Sequence, residues 1–277
     1  MKHTFFGGGI QMFTKREIIG QLRALGVPRD RVVLVHTSLR AVGEVEGRGE
    51  GFLDALIAHC TADGGLLCIP THTWAFAGKT DRVALDMTVA ETCIGTLPNI
   101  AAGDVRGVRT SHPTHSMAVF GDPDRVAAFV AGEEKINTPG RPDGCYGKIC
   151  ERGGYILLVG VGHNRDTYLH SVEEMLNVPN RLSPERELTV RHPDGSVEVR
   201  RQHTHRAEGI RDVSANYPKY EPAFRAHGCI RDGLLGNAPA QLCSARGMAQ
   251  VMRLVRERSG GAELMADDAA LPEKYYL

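Results

Sequence analysis

The apolar positions of this chain change period several times, and each change predicts an element. Thr14-Lys15-Arg16-Glu17 has the form of a capping box, a hydroxyl and a carboxylate three apart that satisfy free backbone N–H groups at a helix start. Phe13 and Ile18 stand where a hydrophobic staple would close that turn, and leucine and isoleucine then recur at helical spacing through GQLRALGV. RVVLVH follows, a β-branched apolar run without alternation that reads as a buried strand ending at His36. After the loop TSLRAVGEVEGRGEG come a helical FLDALIAHC and a second buried strand, GGLLCIP. Strand, helix and strand joined by glycine-rich turns form a βαβ unit, and hence a parallel sheet. SMAVFG, PDRVAAFVAG, YGKICERG and YILLVGVG continue the alternation of strands and helices.

Beyond Asn180 the texture changes. ELTVRHPDGSVEVRRQ is a pair of alternating runs about Pro193-Asp194-Gly195, the pattern of an antiparallel hairpin. ARGMAQVMRLVRERSGG is an amphipathic helix with a glycine stop. The expected fold class is therefore α/β: a mainly parallel sheet flanked by helices, with an antiparallel excursion in the C-terminal third, near 183–205. Residues 1–12 read as a disordered leader, with Met12 an alternative start, and 13–277 as one domain.

Composition adds exclusions. A chain of 277 residues, 42% hydrophobic and 24% charged, has the make-up of an ordinary globular protein. Its 33 basic and 33 acidic residues cancel, so nothing points to nucleic acid or an anionic membrane surface. No apolar stretch approaches the roughly 18 residues of a membrane span, and the N-terminus lacks the apolar core and cleavage pattern of a signal peptide. The seven cysteines are scattered singly without a C-x-x-C pair, which suits a reduced, cytoplasmic protein.

Candidate chemistry gathers at the carboxyl ends of the strands, where open α/β sheets bind ligands. In YILLVGVGHNRDTYLHSVEEML a strand and a loop lead into a helix, with Thr167 as its N-cap, His170 in the first turn and Glu173 one turn on. Residues three apart share a helix face, and a carboxylate beside histidine fixes its tautomer and raises its basicity. The same spacing also describes a plain surface pair. His112 and His115 flank Pro113-Thr114, and two histidines three apart can bind metal, although no third ligand is evident. A zinc hydrolase using His112 and His115 is thus one alternative, and His203-Thr204-His205 invites the same reading more weakly. At the end of the first strand, His36, Thr37, Ser38 and Arg40 form a turn able to cradle phosphate, without a P-loop motif. GVGHNR lacks the third glycine of a dinucleotide fingerprint, no nucleophile elbow occurs, and Cys145 has no evident partner.

In their order, LVHTSLRAVG, GGLLCIPTHTW, RTSHPTHSMAVFG and YGKICERGGYILLVGVGHNRDTYLHSVEE resemble the aminoglycoside 3-N-acetyltransferase family, from about Thr14 to Asn180 and more loosely to the last helix. The resemblance implies that family's own α/β fold, distinct from the common small acetyltransferase superfamily. It implies transfer of acetyl from acetyl-CoA to the 3-amino group of a 2-deoxystreptamine antibiotic, without a metal. His36, Thr37, Ser38 and Leu39 match the segment that lines the CoA site, and Leu169, His170 and Glu173 match the helix carrying the catalytic pair. The expected catalytic residues are His170, Glu173 and His36. Arg40, Thr73, Ser111, Ser116 and Tyr146 complete the expected acetyl-CoA site, with Thr73, Ser111 or Ser116 donating to the oxyanion. Asn164, Asp166, Glu174 and His112 are expected to meet the acceptor.

Two departures bear on substrate. Asn164 stands where the family often has Asp, and Gly144-Cys145 where it often has Ser-Pro. Asn cannot supply a negative charge to a cationic acceptor, so an acyltransferase for a different amine is the chief rival. A CoA- or nucleotide-binding module without catalysis is another. The partners expected are acetyl-CoA and an amine, not nucleic acid or membrane, with a homodimer as an option.

Overall fold

The capping box forms as its residues dictate. Thr14 Oγ1 accepts from the Glu17 N–H, the Glu17 carboxylate accepts from the Thr14 N–H, and Phe13 and Ile18 are buried in one cluster beneath. The computed structural model describes residues 12–277. The expected leader lies outside the described residues except for Met12, which pairs with Glu44. In chain order the elements begin β1 (Met12–Phe13), α1 (Lys15–Leu25), β2 (Val32–Thr37), α2 (Leu39–Val42), β3 (Glu44–Val45), α3 (Arg48–Cys60) and β4 (Leu66–Pro70). There follow β5 (Leu85–Asp86), α4 (Thr96–Gly103), β6 (Val108–Arg109), β7 (Met117–Phe120), α5 (Pro123–Val130), α6 (Cys145–Glu151) and β8 (Tyr155–Val159). The last third holds α7 (Tyr168–Met175), β9 (Arg186–Arg191), β10 (Val197–Gln202), α8 (Glu221–Ala226), β11 (Ile230–Leu235), β12 (Ala238–Ser244) and α9 (Ala245–Arg258).

A seven-stranded sheet in the order β11-β12-β8-β2-β4-β7-β6 divides the molecule into three layers. Alternation within each buried strand explains why no polar face appears in its sequence. Leu34, Cys68, Ile156 and Leu158 face α5, α6, α7 and α9, whereas Val33, Val35, Leu67 and Leu157 face α1, α3 and α4. Each such side chain contributes about 1.5–3 kcal/mol through burial. The expected α/β class is present, with parallel pairing at the centre, β8-β2-β4. Antiparallel pairs close both edges, which is more antiparallel structure than the one excursion expected. The hairpin β11–β12 was not foreseen, although Gly236-Asn237, with Gly236 at φ +59°, is a two-residue turn signal. The expected excursion is there too: β9 and β10 pair antiparallel from Arg186↔Gln202 to Arg191↔Val197, and β5 adds to β9 in parallel.

Because β2, β4 and β8 run the same way, the loops that leave them share one edge. Thr37-Ser38, Thr71-His72 and Gly160–Asp166 therefore converge, and α7 begins there.

Candidate active site

A cleft of about 1140 Å³ opens at that edge. His36, Thr37 and Ser38 reach it from the end of β2, His72 from the loop after β4, and His170 from the first turn of α7. The segment after β10 supplies His205 and Ser214.

The start of α7 differs from expectation in its cap. Thr167 makes no side-chain capping bond; the Asp166 carboxylate accepts from the Tyr168 N–H at 3.2 Å instead. Asp166 also meets His163 Nδ1 at 3.2 Å, and both side chains are fully buried. This holds the loop that aims α7 at the cleft.

His170 and Glu173 share a helix face but do not touch. Tyr217, from the 3-10 segment Ser214–Tyr220, lies between them, with its hydroxyl 2.8 Å from His170 Nδ1 and 2.7 Å from Glu173 Oε2. Burial drives the Tyr217 phenol well above its ordinary range, so the phenol keeps its proton. A hydroxyl has one hydrogen, and here it is donated to Glu173. The phenol oxygen then accepts from His170 Nδ1–H, which leaves the lone pair on Nε2. That nitrogen stands 3.0 Å from Ser214 Oγ at the cleft wall. Burial lowers the His170 pKa to about 4, so the ring is neutral at pH 7. Burial pushes the Glu173 carboxyl up, while Arg181 and the Tyr217 hydroxyl draw it back. Arg181 Nε is 2.9 Å from Glu173 Oε1, an ion pair by distance in which the N–H is not aimed along the contact. Arg181 also binds Glu263 through both terminal nitrogens, at 2.9 and 2.8 Å.

Along the cleft wall the imidazoles form a run. His205 stacks on His170 with centroids 4.0 Å apart and planes at 19°, His115 meets His205 at 4.9 Å, and His72 meets His115 at 4.5 Å. Desolvation, and for each the other rings nearby, lowers the pKa of His72, His115 and His205 well below the ordinary value. His36 ends β2 with Nε2 unpartnered and a pKa lowered to about 4, again by burial.

The cleft gathers part of the expected set. His36, Thr37, Ser38, Leu39, Arg40, Asn164, Asp166 and His170 line it. The others lie elsewhere. Thr73 donates to Pro113 O, Ser116 donates to Thr71 O, and Ser111 accepts from Arg200, so these hydroxyls tie loops together rather than facing the cleft. Tyr146 sits one layer back, its hydroxyl 2.6 Å from His72 Nε2. Glu174 turns the other way, accepting from Thr138 Oγ1 and the Gly140 N–H. His112 is sealed, its Nδ1 accepting the N–H groups of Thr114 and His115. Thr37 Oγ1, by contrast, is a buried hydroxyl without a partner at the cleft wall.

Tyr217, Ser214, Arg181, His72 and His205 were missed as site residues. Tyr217 lies 47 positions from His170 in a segment with no motif, so only the fold brings them together. Cys145 is buried beside Phe129 O, and its thiol is pushed well above its ordinary range, mainly by burial. Among the described residues no group of three or more His, Cys, Asp and Glu side chains is disposed to hold a metal ion, and no helix is long and apolar enough to cross a membrane.

A neutral imidazole with its free nitrogen in a deep cleft, backed by a buried phenol and carboxylate, is the equipment of an enzyme that takes a proton from a weak nucleophile. The model of the aminoglycoside 3-N-acetyltransferase family matches residues 34–256, and the chain belongs to that family. Aminoglycoside N(3)-acetyltransferase IV from Salmonella sp is 33% identical over 169 residues, an alignment spanning 60% of each chain. Aminoglycoside N(3)-acetyltransferase VII from Streptomyces paromomycinus is 28% identical over 90% of this chain and 95% of its own. Two solved structures share the fold. Aminoglycoside acetyltransferase AAC(3)-IVa in complex with gentamicin has a TM-score of 0.76 at 24% identity, covering 94% of this chain and 98% of its own. YokD protein from Bacillus subtilis has a TM-score of 0.74 at 19% identity, covering 88% and 93%.

Proposed function

We propose that this chain transfers acetyl from acetyl-CoA to the 3-amino group of a 2-deoxystreptamine aminoglycoside, which confers resistance to that antibiotic. The observation that carries the reading is His170 Nε2, unprotonated because burial keeps the ring neutral and Tyr217 fixes its tautomer, and set at the cleft wall beside Ser214 Oγ. An acceptor amine attacks only once it has lost its extra proton, and His170 Nε2 takes that proton, through Ser214 or directly. The nitrogen lone pair then attacks the thioester carbon. A C–N bond forms, the C–S bond breaks, the attacking nitrogen gives up its second proton to become an amide, and the leaving CoA thiolate takes up a proton. Thr37 Oγ1 is the unpaired donor best suited to the oxyanion that forms on the way, a contact of the kind worth about 3 kcal/mol when preorganised. His36 beside it positions the thioester. The reading places the protein in the cytoplasm, where its acyl donor is made.

Thiol release from acetyl-CoA, followed with apramycin, gentamicin, kanamycin and simple amines in turn, tests this. Amine-dependent release in the wild type, lost in His170→Ala, supports the reaction and its base together; absence of release with every amine refutes it.

A second reading keeps the donor and the base but changes the amine. Of the acids expected to meet the acceptor, Glu174 faces away from the cleft, and Asp166 lines it while tied to His163 and the Tyr168 N–H.

A further inference from the structure

Behind the base one guanidinium serves two carboxylates. Arg181, which follows α7, is 6% exposed and gives both terminal nitrogens to Glu263, at 2.9 and 2.8 Å, in a forked pair. Only its Nε edge is turned to Glu173, 2.9 Å from Oε1, and that N–H is not aimed along the contact. Glu173 Oε2 is thereby left to the Tyr217 hydroxyl, at 2.7 Å.

Glu263 reaches this place from the C-terminal tail. Gly260 and Gly261, at φ +65° and +76°, turn the chain back where α9 ends, a conformation that favours glycine. The stretch 263–267 that follows is neither helix nor strand, and it lies against the 3-10 segment that carries Ser214 and Tyr217. Asn216 Nδ2 donates to Met265 O at 2.7 Å, and Lys219 Nζ donates to Asp267 O at 2.7 Å and to Leu264 O. Met265 is buried in one cluster with Tyr217 and Val172. Glu263 Oε1 also accepts from the Met265 N–H at 2.8 Å, so its carboxylate is held in place from its own side of the pair.

We infer that Glu263 is a positioning residue for the base: by engaging the fork of Arg181 it keeps Glu173 as the acceptor of the Tyr217 proton, and so fixes the tautomer of His170. The inference rests on the acyl-transfer reading above and extends its machinery to the tail. The Tyr217 hydroxyl has one hydrogen and two acceptors in reach, Glu173 Oε2 and His170 Nδ1. Donated to Glu173, that hydrogen leaves the imidazole lone pair on Nε2, at the cleft. Donated to His170 Nδ1, it forces the ring hydrogen onto Nε2, and the base is blocked. The hydrogen goes to the stronger acceptor. While two carboxylates share one guanidinium, Glu173 keeps the charge that makes it stronger than a neutral ring nitrogen. A guanidinium released from Glu263 turns its fork onto Glu173, engages both oxygens and draws off the charge that holds the phenol proton.

Nitrogen-15 labelling of the histidines reads the tautomer directly, because a ring nitrogen with hydrogen and one without resonate far apart; the His170 signals are those lost in His170→Ala. The wild type should carry hydrogen on Nδ1. Glu263→Gln, which keeps the shape and removes the charge, should move it to Nε2 and lower kcat about 10-fold with the acetyl-CoA KM unchanged. In a Tyr217→Phe background Glu263→Gln should lower kcat no further, since the group through which it acts is gone. The Glu263 side chain is partly exposed, so the variant retains the fold; Glu263→Met, uncharged and of similar length, replaces it if Glu263→Gln does not melt cooperatively. Hydrogen on Nε2 in the wild type overturns the inference, and so does a tautomer unmoved in the variant. An equal further loss of kcat in the Tyr217→Phe background overturns it too, because Glu263 would then only brace the fold. If no amine releases thiol, the acyl-transfer reading fails, and the tautomer of His170 in the wild type and the variant decides the inference alone.

Discussion

His112 and His170 begin alike. Each is followed three residues on by a polar partner suggested by the sequence, and burial lowers the pKa of both, to about 3 and about 4, although His112 is wholly enclosed and His170 only in part. What separates them is the job given to the second nitrogen. His112 Nδ1 accepts two backbone N–H groups, so its ring is a strut that holds the Ser111–Ser116 loop. His170 Nδ1 is matched to a phenol that has given its proton away, and the lone pair on Nε2 is left facing a cleft. A lowered pKa marks both residues, and only the partner and the opening distinguish a tool from a support.

The largest expected effect is on His170. Replacing it with alanine should lower kcat by about 10² to 10⁴ while the protein still melts cooperatively, whereas His112→Ala should spare kcat where the protein is folded. The opposite pattern in paired kinetic and melting measurements would reverse the comparison. Tyr217→Phe removes the link to Glu173 without emptying the space. It should lower kcat about 10- to 100-fold at little change in KM, and Glu173→Gln should act in the same direction. A Tyr217→Phe enzyme with unaltered kcat would show that the relay is packing only.

His112→Ala has its own cost, because it strands two buried N–H groups. Stability should fall by about 1–3 kcal/mol, read from denaturant unfolding at pH 7. Acid sensitivity should follow from the buried rings together. In the unfolded chain histidine titrates near 6.5, whereas in the fold His36 and His170 resist protonation until about 4. Between those values the unfolded chain holds more protons, so their contribution is complete above pH 6.5 and is lost as pH falls toward 4 and below. Each extra proton bound by the unfolded chain costs about 1.4 kcal/mol per pH unit. Melting temperature measured from pH 8 to pH 5 should therefore drop most steeply below 6.5, and a flat profile would mean that these rings are wetter than their burial implies. Thr37→Val keeps the shape of the β2 end and removes one unpaired hydroxyl; a loss in kcat of about 10²-fold without a change in acetyl-CoA KM would support its place at the oxyanion, and an unaltered kcat would remove it from that place.

Local patterns carried most of the fold. The capping box, the apolar runs of β2, β4 and β8, the Pro-Asp-Gly hairpin and the last amphipathic helix are each decided by neighbours within a few residues, where period and turn chemistry act. The β11–β12 hairpin escaped because Gly233 and Pro239 interrupt its alternation, although its turn was written plainly in Gly236-Asn237.

For the site, the sequence alone determined that a histidine would stand in the first turn of a helix at the carboxyl end of a buried strand, and that His36 would end another. Helical period and strand polarity suffice for that. Only the tertiary structure decided that Tyr217 stands between His170 and Glu173, and that Glu174 and His112 turn away. Hydrogen-bond partners of a buried ring come from whatever the fold packs against it, and packing brings together residues 47 apart that no local spacing connects.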